Sequence, residues 1–237
     1  MTDINNIGEK NLYNIGEKNY EVWFPPSGNL WSERRLKELT RNEVIELWKE
    51  CPAAEISELV GEYKGFHPTA GEEERQKATA GFHYDEYSPN GYWLGKAYWP
   101  LSKTKGVGYN RFRLPDGSVQ RYARFATEMG TSLIDGKPSL LMYYSAYRMK
   151  NPWGAPPPRP DNLEEVPEEN SCKCDVRKLA DGVYLAISHI IKPDGSGTRT
   201  NPLIEDDIEF MAGNSVWALV GPIGEYVRAD NPTEELI

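Results

Sequence analysis

Turn signals set between runs of β-branched and aromatic residues constrain this chain more than any other feature. Pro115-Asp116-Gly117-Ser118 separates residues 109–114 from residues 119–127, with proline and glycine where a hairpin needs them. Asp135-Gly136 precedes residues 140–147, and Ala180-Asp181-Gly182 separates 176–179 from 183–191. Gly213-Asn214 separates 208–211 from 216–220. Residues 59–66 and 92–99 supply two earlier strands, and 225–228 a last one. About nine strands joined mostly by short turns predict an antiparallel meander that closes on itself and leaves few edges. No strand–helix–strand alternation is visible, which argues against a doubly wound sheet. The expected fold is mainly β: an antiparallel barrel of about eight to nine strands with an N-terminal helix.

That helix is expected over residues 31–50. Ser32 can cap one turn, Thr40 and Glu43 stand at capping-box spacing, and Val44, Ile45, Leu47 and Trp48 form an apolar stripe that Pro52 ends. Residues 1–30 read as a flexible N-terminal arm, and residues 31–230 as a single barrel domain. The arm holds a small duplication, NIGEKNLY at 6–13 and NIGEKNY at 14–20, far below the period of a solenoid. Two segments interrupt the meander. Residues 69–79 suggest a short surface helix, with Thr69 and Glu72 at capping-box spacing. Residues 151–170 (NPWGAPPPRPDNLEEVPEEN) form a proline-rich acidic insert that cannot continue a strand, and such a loop is either a lid or disordered.

The formal charge is −9 and no dense Lys/Arg run occurs, which argues against a nucleic-acid partner. No run of about 18 apolar residues exists, so no membrane span is expected. The first residues lack the basic and apolar regions of a secretory signal. Of three cysteines, Cys172 and Cys174 stand one residue apart, too tight for a CxxC pair, so free thiols and a cytoplasmic location are expected. His67, His83 and His189 show no metal-ligand spacing, so no metal is expected. There is no Gly-x-Ser-x-Gly, and Gly106-Val107-Gly108 lacks the third glycine of a dinucleotide loop, so no bound cofactor is expected.

Residues 59–68 read LVGEYKGFHP, one tyrosine midway between two glycines. Gly61-Glu62-Tyr63-Lys64-Gly65 resembles the Gly-x-Trp-x-Gly motif of the GXWXG domain, with tyrosine in place of tryptophan. Tyr92-Trp93-Leu94-Gly95-Lys96 and Pro100-Leu101 resemble that family's Trp-Tyr-Gly-Lys stretch and later Pro-Leu. Residues 174–187 are similar in layout to the DUF4334 domain that usually follows. The resemblance covers most of 59–227 and implies a lipocalin-like, calycin-type barrel that holds one small apolar ligand. It brings no catalytic residue with it. The chain departs from the family pattern at Tyr63, in the proline-rich insert and in the N-terminal extension.

Alternate residues of a barrel strand point inward. Residues 109–114 offer Tyr109, Arg111 and Arg113 on one face and Asn110, Phe112 and Leu114 on the other. Residues 119–127 set Gln120, Tyr122, Arg124 and Ala126 against Val119, Arg121, Ala123 and Phe125. Residues 140–147 set Leu141, Tyr143, Ser145 and Tyr147 against Leu140, Met142, Tyr144 and Ala146. Neither face of these strands is cleanly apolar. The arginines are either surface cations paired with acids, or one enters the barrel and meets Glu128, Glu86 or a ligand carboxylate. His189 is either an acid–base group inside the barrel or a hydrogen-bonded strand histidine. By alternation Trp93 shares a face with Trp99, and Tyr92 with Tyr98, as core or as the wall of a ligand site.

The candidate catalytic residues are Arg124, Glu128, His189 and Tyr144. The candidate ligand-binding residues are Tyr63, Trp93, Trp99, Tyr109, Arg111, Tyr122, Tyr143 and Trp217. Tyr63 is read as either the plug of a filled barrel or the floor of a cavity, the plug being the simpler reading. The function expected is a small-molecule-binding barrel, a cofactor-independent isomerase, cyclase or lyase acting on a largely apolar metabolite. Its alternatives are a non-catalytic carrier or sensor, and an interaction module with a filled barrel. The partner expected is an apolar small molecule, and a homodimer is compatible with the sequence.

Overall fold

The computed structural model describes residues 10–15, 18–23, 31, 33–68, 84, 91–143, 147–148, 172–190, 216–227 and 235–236. The expected helix at 69–79, the insert at 151–170 and the strand at 208–211 lie outside the described residues.

The helical region is two helices, α1 (Glu33–Lys37) and α2 (Arg41–Glu50), in place of the single one expected. The break falls where the capping box acts. Thr40 is extended and accepts from the Glu43 N–H at 3.3 Å, while Glu43 Oε2 accepts from the Thr40 N–H at 2.8 Å. This reciprocal pair closes two orphan donors of α2 and restarts the chain. Val44, Ile45, Leu47 and Trp48 are all buried, and each buried side chain of this size contributes about 1.5–3 kcal/mol. At the other end of α2, Arg177 stacks 3.7 Å from the Trp48 ring centroid, donates to the Trp48 carbonyl at 3.3 Å and pairs with Asp135 at 2.7 Å. A cation there also suits the negative end of the helix.

Eight strands close into an antiparallel barrel: β3 (Gly61–Phe66), β4 (Tyr92–Pro100), β5 (Lys105–Arg113), β6 (Val119–Thr131), β7 (Pro138–Tyr143), β9 (Cys172–Ala180), β10 (Val183–Ile190) and β11 (Val216–Gly224). Each pairs with its neighbour in sequence and β11 returns to β3, so the meander has no free edge. The remaining strands form two small sheets. β1 (Lys10–Ile15) pairs with β2 (Lys18–Trp23), and β8 (Tyr147–Arg148) with β12 (Glu235–Leu236). The described parts of the two N-terminal copies pair with each other, with Tyr13 opposite Tyr20 and Asn14 opposite Asn19. The strand expected at 140–147 ends at Tyr143 within the barrel, and residues 225–227 carry no strand. Among the described residues no helix is long and apolar enough to cross a membrane.

The turns 101–104, 132–137 and 181–182 lie at one end, and the long stretches 67–91, 144–171 and 191–215, together with the short turn 114–118, join strands at the other. The short-turn end is closed by the chain between α2 and β3. Ala53 bridges to Arg177, the Ala54 N–H donates to the Val176 carbonyl, and Ala54, Ile56 and Leu59 are fully buried in the interior core. Tyr63 plugs this end, edge-on to Tyr98 and Tyr184. Its hydroxyl donates to the Glu58 carbonyl and accepts from the Val60 N–H, both at 3.2 Å.

Bulges decide which side chains enter. The β4–β5 register shifts between Trp93 and Gly95, where Gly95 adopts φ +132°, so Trp93, Lys96 and Tyr98 all face inward. This corrects the expectation that Trp93 shares a face with Trp99: Trp99 lies outside, against Tyr226. A second shift, between Gly108 and Asn110, accompanies φ +53° at Ala123 of β6. Arg121 and Phe125, placed together by simple alternation, therefore end on opposite faces, Phe125 inside and Arg121 outside.

Two layers cover the outer wall. The helices pack Leu36, Val44, Leu47 and Trp48 against Leu185, Ile187, Val216 and Ala218. Elsewhere on the outer wall, Glu62 of β3 gathers Arg111 at 2.8 Å, Arg121 at 2.7 Å and the Tyr109 hydroxyl at 3.0 Å. Tyr109 in turn accepts from the Val227 N–H at 2.9 Å and stacks on Tyr226, which fastens the chain after β11 to the barrel.

Candidate functional site

Polar groups on the inner wall concentrate toward the loop-bearing end. Lys96 is 4 % exposed, and its Nζ donates to Asn110 Oδ1 at 2.6 Å. Three rings surround the ammonium, with centroids at 4.8 Å (Trp217), 5.4 Å (Phe125) and 5.6 Å (Trp93). Each such contact contributes about 2 kcal/mol when desolvated. Asn110 is fixed from both sides: its Oδ1 also accepts from Trp93 Nε1 at 3.2 Å and its Nδ2 donates to the Ala123 carbonyl at 2.9 Å. The bulge at Ala123 aims that carbonyl. Opposite, Trp217 stands edge-on to Trp93, its Nε1 donating to Ser188 Oγ at 2.9 Å, and Cys174 Sγ lies 3.2 Å from the same oxygen.

His67 follows β3 at this end. Nδ1 lies 2.9 Å from the Val216 carbonyl, a contact that only an Nδ1–H tautomer makes attractive, which leaves the lone pair on Nε2. Burial drives its pKa down to about 4, outweighing the Val216 hydrogen bond, and Lys96 adds to the fall. The imidazole is therefore neutral at neutral pH, able to exchange hydrogen bonds but not to carry charge. Its own backbone N–H donates to the Tyr84 hydroxyl at 2.8 Å, and burial raises the Tyr84 pKa well above its usual value.

Of the residues singled out from the sequence, Trp93 and Trp217 line this site and Tyr63 plugs the opposite end. Arg111 and Tyr109 belong to the Glu62 cluster outside the barrel. Arg124, Tyr143 and Glu128 share the outer face of β6 and β7 by register with Phe125 and Met142 inside, and Glu128 is exposed, 3.9 Å from Lys105. No described arginine of β5 or β6 enters the barrel. Burial and the charges of Glu128 and Asp175 push the Tyr143 phenol up to about 12. His189 is on the outer wall too, fully buried, with Nε2 2.5 Å from Asp175 Oδ2. Arg124, Glu128 and His189 thus do not converge on the interior. Tyr144 and the side chain of Tyr122 lie outside the described residues.

Sequence reading did not single out Lys96, Asn110 or His67 as site residues. The signal for Lys96 is the glycine before it. A glycine inside a strand marks a bulge, and a bulge sets residues three apart, here Trp93 and Lys96, on one face. Nothing comparable marks Asn110 or His67, whose partners are remote in sequence.

Fold and inner wall together define a lipocalin-like, eight-stranded barrel with a polar-aromatic layer under its long connections. No family model matches the chain, and no curated protein does. Among solved structures, a protein from Thermomonospora curvata aligns at 14 % identity over 78 % of this chain and 89 % of its own, with a TM-score of 0.43, which carries no argument about function.

Proposed function

We propose that the loop-bearing end of the barrel binds a small, largely apolar, flat molecule and converts it without a bound cofactor, as an isomerase, cyclase or lyase. The observation that supports this most directly is the ammonium of Lys96, held on the inner wall between the indoles of Trp93 and Trp217 and oriented by Asn110. A residue that merely fills a core gains nothing from a charge, and charge is costly to bury. A preorganised cation in an aromatic box can receive a carbonyl or carboxylate oxygen and steady negative charge that develops there as a proton or a bond migrates. The two indoles offer flat faces to the body of such a molecule.

A non-catalytic carrier is the second reading, favoured by the self-contained closed half. Tyr63 and Tyr98 there place their hydroxyls on Glu58, Val60 and Met142, within the frame rather than toward a ligand. Native mass spectrometry of the protein purified from its source tests both. A co-purified small molecule supports binding, and its conversion on incubation with fresh protein supports the enzyme. Recovery of the unchanged molecule would leave the carrier. Absence of any bound molecule, with no binding of flat aromatic acids, would point to an interaction module with a filled barrel.

A further inference from the structure

Near the loop-bearing end, Gln120 is a polar side chain of the inner wall that the Lys96 layer does not use. Gln120 is 6 % exposed, and its Oε1 is buried with no hydrogen-bond partner among the described residues. Register fixes its direction. Gln120 lies opposite Phe112, which lies opposite Trp93, so the three form one row across β6, β5 and β4. Phe112 and Trp93 both belong to the interior core, and cross-strand partners share a face, so Gln120 points inward beside them. Asn110 and Lys96 form the next inward row, two residues further from the loop-bearing end, about 7 Å along the strand.

A buried carbonyl oxygen left unbonded costs about 1–3 kcal/mol, and native proteins keep few of them. Glutamine is also an unusual choice beside Phe112 and Trp93, where leucine or methionine would fill similar volume at no polar cost. Resting on the reading of this end as a ligand site, we infer that Gln120 is its specificity-determining residue and that the ligand carries a hydroxyl group which donates to Oε1. A hydroxyl both donates and accepts, so it satisfies the side-chain amide in either orientation. The ligand class is thus a flat apolar skeleton with two polar points. One is an acidic or carbonyl oxygen for Lys96, and the other a hydroxyl about one inward row nearer the loop-bearing end.

The test is titration calorimetry with trans-cinnamate and trans-4-hydroxycinnamate, which differ by that hydroxyl alone. Wild type is expected to bind the hydroxylated acid about tenfold more tightly, the size of one net hydrogen bond. Gln120→Leu should bind the two acids equally and, lacking the orphan oxygen, unfold at the same or a higher temperature than wild type. Gln120→Met serves as a second apolar replacement should leucine disturb packing. Equal binding of both acids by wild type overturns the role of Gln120 while leaving the ligand site standing. Discrimination that persists in both variants places the hydroxyl elsewhere and overturns it too. A lower melting temperature in both variants shows that Gln120 is a bonded part of the frame and overturns it. Failure of wild type to bind either acid overturns the ligand site itself.

Discussion

Lys96 Nζ and Asn110 Oδ1 lie 2.6 Å apart inside the barrel, on adjacent strands whose register is set by the bulge after Trp93. Replacing the charge and removing its acceptor have opposite consequences. Lys96→Met swaps an ammonium for an apolar chain of similar length, and should leave stability unchanged or raise it by about 1–3 kcal/mol. It should also abolish the preference for acids over their uncharged amides. Asn110→Leu strips an acceptor from both Lys96 and the Trp93 indole and should cost about 1–3 kcal/mol in urea unfolding. Strong destabilisation by Lys96→Met would mean that the lysine serves the frame.

Glu62 holds two arginines and a tyrosine on the outer wall, where its side chain is 7 % exposed. Burial lowers the Arg111 pKa despite Glu62, whereas at the more exposed Arg121 desolvation is overcome by the hydrogen bond and charge of Glu62 together with Tyr109, which raise it. Glu62→Gln should therefore remove the carboxylate that two arginines share and cost about 3 kcal/mol. Hydrogen exchange at Val227, whose N–H donates to Tyr109, should accelerate with it. Cinnamate affinity should stay unchanged, because this cluster faces away from the interior; a large loss would link the two faces.

His67 makes stability depend on pH. Burial sets its folded pKa at about 4, below the ordinary 6.5, so the unfolded chain binds the proton first as pH falls. Its contribution is complete above about pH 6.5 and is lost on acidification toward about pH 4, on the order of 3 kcal/mol. His67→Asn keeps a donor for the Val216 carbonyl without the titration. The unfolding free energy of this variant should fall less steeply between pH 7 and pH 4 than that of wild type. Parallel curves would exclude His67 as the source.

Gly65 lies beneath Trp93. A Cβ at this position would stand 2.5 Å from the indole and 2.7 Å from Gly95 Cα, with backbone on one side and a packed ring on the other. Gly65→Ala should cost about 1–3 kcal/mol as overpacking and displace the Trp93 ring, read as a change in near-ultraviolet circular dichroism. An unchanged spectrum and melting point would show that the indole has room to yield.

The spacing of turns along the chain is enough to set the class of fold. Asp116-Gly117, Asp135-Gly136 and Asp181-Gly182 break the chain into antiparallel neighbours, and nine strands' worth of alternation can bury one face only by closing. The sequence also sets α2, because the Thr40–Glu43 capping box is local chemistry. The inward face was decided only in three dimensions. Alternation is read by counting residues, and one extra residue at Gly95 or Ala123 reverses the count for everything beyond it. That is why Trp93 and Trp217 were legible as site residues while Lys96 was not. It is also why Arg111 and Arg121 meet Glu62 outside the barrel: Glu62 stands 49 and 59 positions before them, and their meeting depends on which strands become neighbours and on the faces their bulges leave them.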